Sequence, residues 1–206
     1  CGPNFDVATK GARCSLRSAV AFCQDNVVGP HRCIIDIPAG TVQLNASDIS
    51  LDDNGRSLVI RGDGSSTTEV VNAAGGDSRF LYILFASDHT STTEFVLEGV
   101  SVSGFSSTGG WGGAVYCKYL KKGAFTDVRF YDNSAAQGGA VYTNSVENIV
   151  FSGVTFAENS ATGYGGGLRA LSSVDMSVTY RNMVFEGNTA VGDGGRLCSL
   201  CYAGQN

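Results

Sequence analysis

The chain has 206 residues, a formal net charge of −5, only 16% charged residues, 28 glycines and seven cysteines. That length suits one domain with a sizeable core, and the acidic balance argues against a nucleic-acid partner. No apolar run approaches the roughly 20 residues that span a bilayer, and the cysteine count points to an oxidising, extracellular or cell-surface setting.

Residues 1–13 read as a polar, irregular lead-in. The chain starts at Cys1 with no visible leader, so either a leader has been removed or the sequence is part of something longer. Ser15 is a candidate N-cap, and Leu16, Ala19, Val20 and Cys23 fall on one helical face. The spacing predicts a short amphipathic helix over about 15–25 that covers the open end of the following fold. Residues 1–32 therefore form an N-terminal cap, and 33–206 the body of a single domain with no linker.

Cys33–Ile37 and Thr41–Leu44 are predicted strands around a Pro38-Ala39-Gly40 turn. Asn45-Ala46-Ser47 is the one N-glycosylation sequon, relevant if a eukaryotic cell secretes the chain. Ser57–Ile60 and Glu69–Val71 flank a Gly-Asp-Gly-Ser bend. Phe80–Phe85 and Glu94–Val102 are further strands. Asp52-Asp53 reads as a turn, and His31 and His89 lie in loop-like stretches without a partner motif.

From residue 100 to 200 two phrases alternate. Gly-Gly-Ala-Val-Tyr begins at Gly112 and Gly138, becomes Gly-Gly-Gly-Leu at Gly165, and is degraded at Gly194, with Arg196 where Ala is expected. These starts step by 26, 27 and 29 residues. Phe-x-x-Asn appears as Phe130 to Asn133, Phe156 to Asn159 and Phe185 to Asn188. A period in this range signals a solenoid of stacked coils.

Aligning the coils gives columns. Val102, Phe130, Phe156 and Phe185 share one, and Val100, Val128, Val154 and Met183 another two positions earlier, on the same strand face. Asn133, Asn159 and Asn188 follow at a bend as a stacked ladder, with Asn tolerating left-handed backbone there. Small Ala135, Ala161 and Ala190 come next, and the double glycines then turn the chain where a Cβ would clash. Val115, Val141, Leu168 and Leu197 point inward. Tyr116, Tyr142, Arg169 and Cys198 point outward, and Cys117, Thr143, Ala170 and Ser199 inward again. With a third strand near Glu147–Phe151, the fold is an all-β, parallel β-helix. The preference of crossover connections makes it right-handed.

The alternation of Phe-x-x-Asn with Gly-Gly-Ala-(Ile/Leu/Val) resembles the repeat of the chlamydial polymorphic outer-membrane proteins. It is also similar to a wider group of secreted right-handed β-helix proteins of bacteria and algae. The Cys14–Ala19 phrase resembles the capping segment of many such proteins. The resemblance covers roughly residues 100–200, and it implies extracellular display, often adhesion. It carries over no catalytic residue, because the motif residues are structural.

Cys1, Cys14, Cys23 and Cys33 cluster about the cap. An 11-residue helix separates Cys14 from Cys23 by about 13 Å, too far for a disulfide. The pairings 1–14 with 23–33 and 1–23 with 14–33 remain. Cys117 reads as a buried free thiol, about three coils from Cys198. Cys198 and Cys201 have redox-motif spacing but close a β-repeat. A local or intermolecular structural disulfide is the expectation there.

Parallel β-helices also host polysaccharide lyases and epimerases, which need convergent carboxylates and cations on one exposed sheet. Asp127, Asp132, Glu158, Asp175 and Glu186 are spread along the repeats instead, although Asp132, Glu158 and Gly187 share a column. Lys118, Lys121 and Lys122 read as a solvated bend. Arg61-Gly62-Asp63 sits where the fold needs a bend, and Thr67, Thr68, Thr92 and Thr93 form no regular ice-binding column. Tyr116 and Tyr142, adjacent in one column, are candidates for stacking on sugar rings.

The sequence thus favours a non-catalytic, secreted or cell-surface module with an adhesive or structural role, without cofactor or metal. A carbohydrate-active lyase or epimerase, or a carbohydrate-binding module, is the alternative. The partners expected are extracellular polysaccharide, or other protein chains and copies of itself. No capping helix follows Gly195, and an uncapped β-helix edge is a template for another copy, a partner or a continuation of the chain, the alternative being that Tyr202 and the last residues fold back and close the coil. Head-to-tail docking there would build a fibre.

Overall fold

In a computed structural model, the described residues are 5–6, 15–26, 32–45, 48–51, 57–85, 94–171, 177–192, 194–195 and 197–198. They form a parallel β-solenoid, every paired strand running parallel to its neighbours in adjacent coils. Each full coil has four legs. The first is made by Arg32–Ile37, Ser57–Gly62, Glu94–Glu98, Lys122–Thr126, Asn148–Ser152 and Ser177–Arg181. The second stacks Gly40–Leu44, Thr68–Asn72, the far halves of Glu94–Ser103 and Lys122–Tyr131, then Thr155–Ala157 and Val184–Glu186. The third is short and contains Ser106–Trp111, Ser134–Gln137, Ser160–Ala161 and Thr189–Ala190. The fourth, after the glycine pairs, runs from Ile49–Leu51 through Leu81–Leu84, Val115–Lys118, Val141–Asn144 and Leu168–Leu171 to Leu197–Cys198.

The coils turn at residues with left-handed backbone, stacked in columns. One holds Gly99, Asp127, Gly153 and Asn182, a second Gly104, Asp132, Glu158 and Gly187, and a third Gly112, Gly138, Gly165 and Gly194. Tyr119 and Ser145 start a fourth. The expectation that Asn itself takes the left-handed conformation is therefore corrected. The residue before each ladder Asn takes it, freeing the Asn to point into the coil. The second glycine of each pair serves a different need. A Cβ on Gly139 would fall on the carbonyl oxygens of Gly166 and Ser160.

The core follows the aligned columns. Phe130 pairs with Val102 and Phe156, and Phe156 with Phe185. Their rings stack at 5.3 and 5.1 Å. Phe125 and Phe151 form a second interior stack at 5.0 Å. Val115, Val141 and Leu168 are fully buried, as are Val100, Val128 and Val154. The helix Leu16–Asn26 closes the first coil. The Ser15 hydroxyl accepts from the Ser18 N–H at 3.1 Å, a capping bond, and Leu16, Ala19, Val20 and Cys23 are buried. Cys23 is joined to Cys33 by a disulfide, tying the helix to the first strand.

Burial falls away in the last coil. Met183, Phe185 and Leu197 pack on the core only partly buried. Replacing Phe156 by Ala should therefore cost about 3–5 kcal/mol in denaturant unfolding. Phe185→Ala should cost clearly less, because its ring already reaches solvent.

Candidate functional site

The Asn ladder holds the corner between the second and third legs. The Asn159 Oδ1 accepts from the backbone N–H of Asn133 at 3.0 Å and from its Nδ2 at 3.0 Å. The Nδ2 of Asn159 donates to the Phe130 carbonyl at 3.0 Å and to the Asn188 Oδ1 at 2.9 Å. Both side-chain donors and both lone-pair positions are thus filled. Asn133 repeats the pattern toward the Val102 carbonyl, and Asn188 toward the Phe156 carbonyl.

Tyr116 and Tyr142 lie in one outer column with Tyr82 and Arg169. The rings of Tyr82, Tyr116 and Tyr142 stack at 5.0 and 5.6 Å. They are not open to a sugar, which corrects the sequence reading: Tyr116 is 6% and Tyr142 3% exposed. Trp111 stacks against both, at 6.1 and 5.5 Å, and the Arg79 guanidinium lies 5.5 Å from the Tyr82 ring. Strand alternation identifies the face a side chain points to, but not what later folds over that face. Burial, and then the neighbouring tyrosines, push the Tyr116 hydroxyl up to about 12. Trp111 remains as an exposed ring of this cluster, at 44%.

The scattered acids have structural duties. Asp132 and Glu158 occupy left-handed corners. Asp127 occupies another and accepts from the Ser65 N–H and hydroxyl at 3.1 and 2.7 Å. On the first leg, charges form ladders across coils. Arg61 bonds Asp36 at 2.6 Å and lies 3.9 Å from Glu98, so the Arg-Gly-Asp sequence is held in a sheet and its turn, not on a projecting tip. Asp36, by hydrogen bond and charge, raises the Arg61 pKa above its ordinary value. Glu94 bridges Arg32 at 2.7 Å and Lys122 at 2.9 Å. Lys118 lies over the Tyr119 ring, which divides the basic cluster further.

Cys117 is a free, buried cysteine facing the interior, and burial pushes its thiol pKa up. Asn45 is exposed just past Gly40–Leu44, while Ser47 of its sequon lies outside the described residues. Cys1, Cys14, Cys201, Ser199, Asp52, Asp53, Asp175, His31 and His89 also lie outside them. Cys198 pairs in register with Arg169, and its side chain is outside the description. Among the described residues no group of three or more His, Cys, Asp or Glu could hold a metal ion, and no helix is long and apolar enough to cross a membrane.

One feature escapes the repeat. Arg61 pairs with Glu98 and Glu69 with Ser101, so the corner that Gly99 and Val100 turn in the third coil is a longer loop in the second. The extra residues, Asp63 to Thr67, rise beside the second leg. The loop is fixed at several points: Gly64 N–H to the Gly99 carbonyl at 3.0 Å, Ser101 hydroxyl to the Ser65 carbonyl, and Ser65 to Asp127. Between the loop and the sheet lies a cleft of about 440 Å³, lined by Thr41, Ser65, Thr67, Glu69, Ser101, Arg129 and Tyr131 among others. The Glu69 carboxylate accepts from the Tyr131 hydroxyl, and the Arg129 guanidinium lies 5.0 Å from the Tyr131 ring. The sequence signal was the surplus between Gly62 and Thr68 in an otherwise regular period. It read only as a bend because the repeat is weak before residue 100.

Residues 127–144 and 153–170 match the Chlamydia polymorphic membrane protein repeat. The matched segments run from the left-handed corner through the Phe-x-x-Asn phrase and the glycine pair to the fourth-leg strand. No curated protein and no solved structure gives a significant match. The chain is therefore a parallel β-solenoid that carries, in its central coils, repeats of the kind found in the chlamydial polymorphic membrane proteins, and this supports a cell-surface β-helix protein.

The ion-pair ladder gives a pH test. Lys122, by hydrogen bond, and then Arg32 hold the Glu94 carboxyl below its ordinary value of 4.5. A depressed folded pKa contributes stability above the unfolded value that is lost as pH falls through the folded one. Glu94→Gln should cost under about 1 kcal/mol near neutrality. In pH-dependent urea unfolding the difference from the parent chain should shrink as pH falls below 4.5 and close once the depressed Glu94 carboxyl is protonated in the folded chain.

Proposed function

We propose that this chain is a non-catalytic, cell-surface β-helix module that adheres to other surfaces. The observation that carries the reading is the repeat match, set in a solenoid whose shared motif residues (the Phe stack, the Asn ladder and the glycine pairs) all serve the coil itself. Such a scaffold leaves its outer legs free to vary, which suits display. On this reading the last described coil, where Met183 and Phe185 are only partly covered and Val191 is 85% exposed, is covered by a continuation of the chain, by another protein or by a second copy. Self-association in sedimentation across a concentration range would single out the second copy, and a clean monomer would remove it.

The carbohydrate-binding reading is the second one, and the cleft beside Glu69 and Arg129 favours it. Beads coated with the purified chain should bind cells or an extracellular polysaccharide layer above the level of albumin-coated beads. Equal retention of both would remove the adhesive role. Release of unsaturated oligosaccharides during the same incubation would replace it with a lyase.

A further inference from the structure

We infer that the cleft between the Asp63–Thr67 loop and the second leg binds a saccharide carrying a carboxylate. The inference rests on the carbohydrate-binding reading and names its ligand class.

Three observations converge. The first is the loop. A regular solenoid needs one or two residues at this corner, and insertions in repeat proteins map to loops that commonly form the binding face. This insertion is fastened two coils away: Ser65 bonds Asp127 by both N–H and hydroxyl. It is also tied at its base, where the Thr67 and Thr68 N–H groups donate to the Gly64 carbonyl at 3.0 and 2.9 Å. A wall held this way is pre-organised, so binding does not have to order it.

The second is the lining. Thr41, Ser65, Ser66, Thr67, Thr68, Ser101 and Tyr131 supply hydroxyls, and the cleft of about 440 Å³ falls in the range of small-ligand sites, roughly 300–1,000 Å³. Most of these hydroxyls already donate within the protein, Ser65 to Asp127, Thr67 to the Gly64 carbonyl, Ser101 to the Ser65 carbonyl and Tyr131 to Glu69, so toward a sugar ring they offer fixed lone pairs that accept from its hydroxyls.

The third is the charge arrangement. Glu69 and Arg129 share one outward column with Thr41 and Ser101. The Tyr131 hydroxyl and, more weakly, those of Ser103 and Thr41 bond the Glu69 carboxylate, which fixes its position. Its remaining lone pairs accept from ligand hydroxyls. Arg129 is exposed and forms no ion pair among the described residues, while the Tyr131 ring supports its guanidinium. A planar guanidinium recognises a carboxylate through two parallel bonds. A bare inorganic anion would meet repulsion from Glu69. A ligand with ring hydroxyls toward Glu69 and a carboxylate toward Arg129 satisfies both.

The test titrates the whole 206-residue chain with uronate trisaccharides (galacturonate, glucuronate and mannuronate) and with neutral maltotriose, followed by calorimetry and amide chemical shifts. Saturable binding of at least one uronate is expected, with shifts confined to residues 63–69, 101–103 and 129–131. Maltotriose should bind at least about tenfold more weakly. Arg129→Ala should lose at least about tenfold in affinity and Glu69→Gln a smaller factor, with unfolding midpoints kept. The shift map of the parent chain stands independently of either variant. No binding by any uronate, shifts elsewhere on the solenoid, or equal affinity for Arg129→Ala would each overturn the proposal. Coated-bead adhesion that survives Arg129→Ala would leave the adhesive role standing while removing this cleft from it.

Discussion

The corner between the second and third legs is the constraint on which the coil depends. A solenoid must bend its backbone there while keeping the polar groups next to the phenylalanine stack satisfied. Buried polar groups without partners cost about 1–3 kcal/mol each, and every coil repeats the bend. The Asn ladder solves the problem once for all coils. Each ladder side chain bonds the backbone of the coil before it, and Asn133 and Asn159 also bond the Asn of the coil after them. Interior volume then follows. With the corner fixed, Phe130, Phe156 and Phe185 must stack, because parallel register places like on like.

The same constraint explains why acids appear where they do. Asp132 and Glu158 sit at left-handed corners, just ahead of the Asn they release into the coil. A non-glycine residue there carries a backbone cost of roughly 1–2 kcal/mol. The ladder, the stacked rings and the parallel sheets jointly hold it in place. Regularity elsewhere also makes the Asp63–Thr67 loop conspicuous. It is an interruption that the coil does not need, held by bonds from Asp127 and Gly99 that serve the loop.

Most of the scaffold was legible because it is periodic. The Phe column, the Asn ladder and the glycine pairs each recur at a fixed spacing, so each position is read several times over. The capping helix was legible from one amphipathic stripe, Leu16 to Cys23. What escaped was whatever depends on side chains from different legs. Tyr116 and Tyr142 point outward as the alternation requires, yet Trp111 lies against them from the end of the preceding leg. The Glu69, Tyr131 and Arg129 cleft joins residues about sixty positions apart through a loop whose length is visible only against the register. Aperiodic features of this kind carry no repeat to amplify them, and they are where ligand recognition concentrates.

If the ladder is the element that holds the coils together, its hydrogen bonds should break only when the whole chain unfolds. Native-state hydrogen exchange of the Asn133 and Asn159 amides, backbone and side chain, measures this directly. The backbone amides are expected to exchange only through global unfolding, with the same denaturant dependence as the Phe130 and Phe156 amides. The ladder Nδ2 protons are expected to be protected well beyond those of Asn148, whose exposed side chain lies off the ladder. Ladder amides that exchange by local opening, while the phenylalanine strands stay protected, would contradict it.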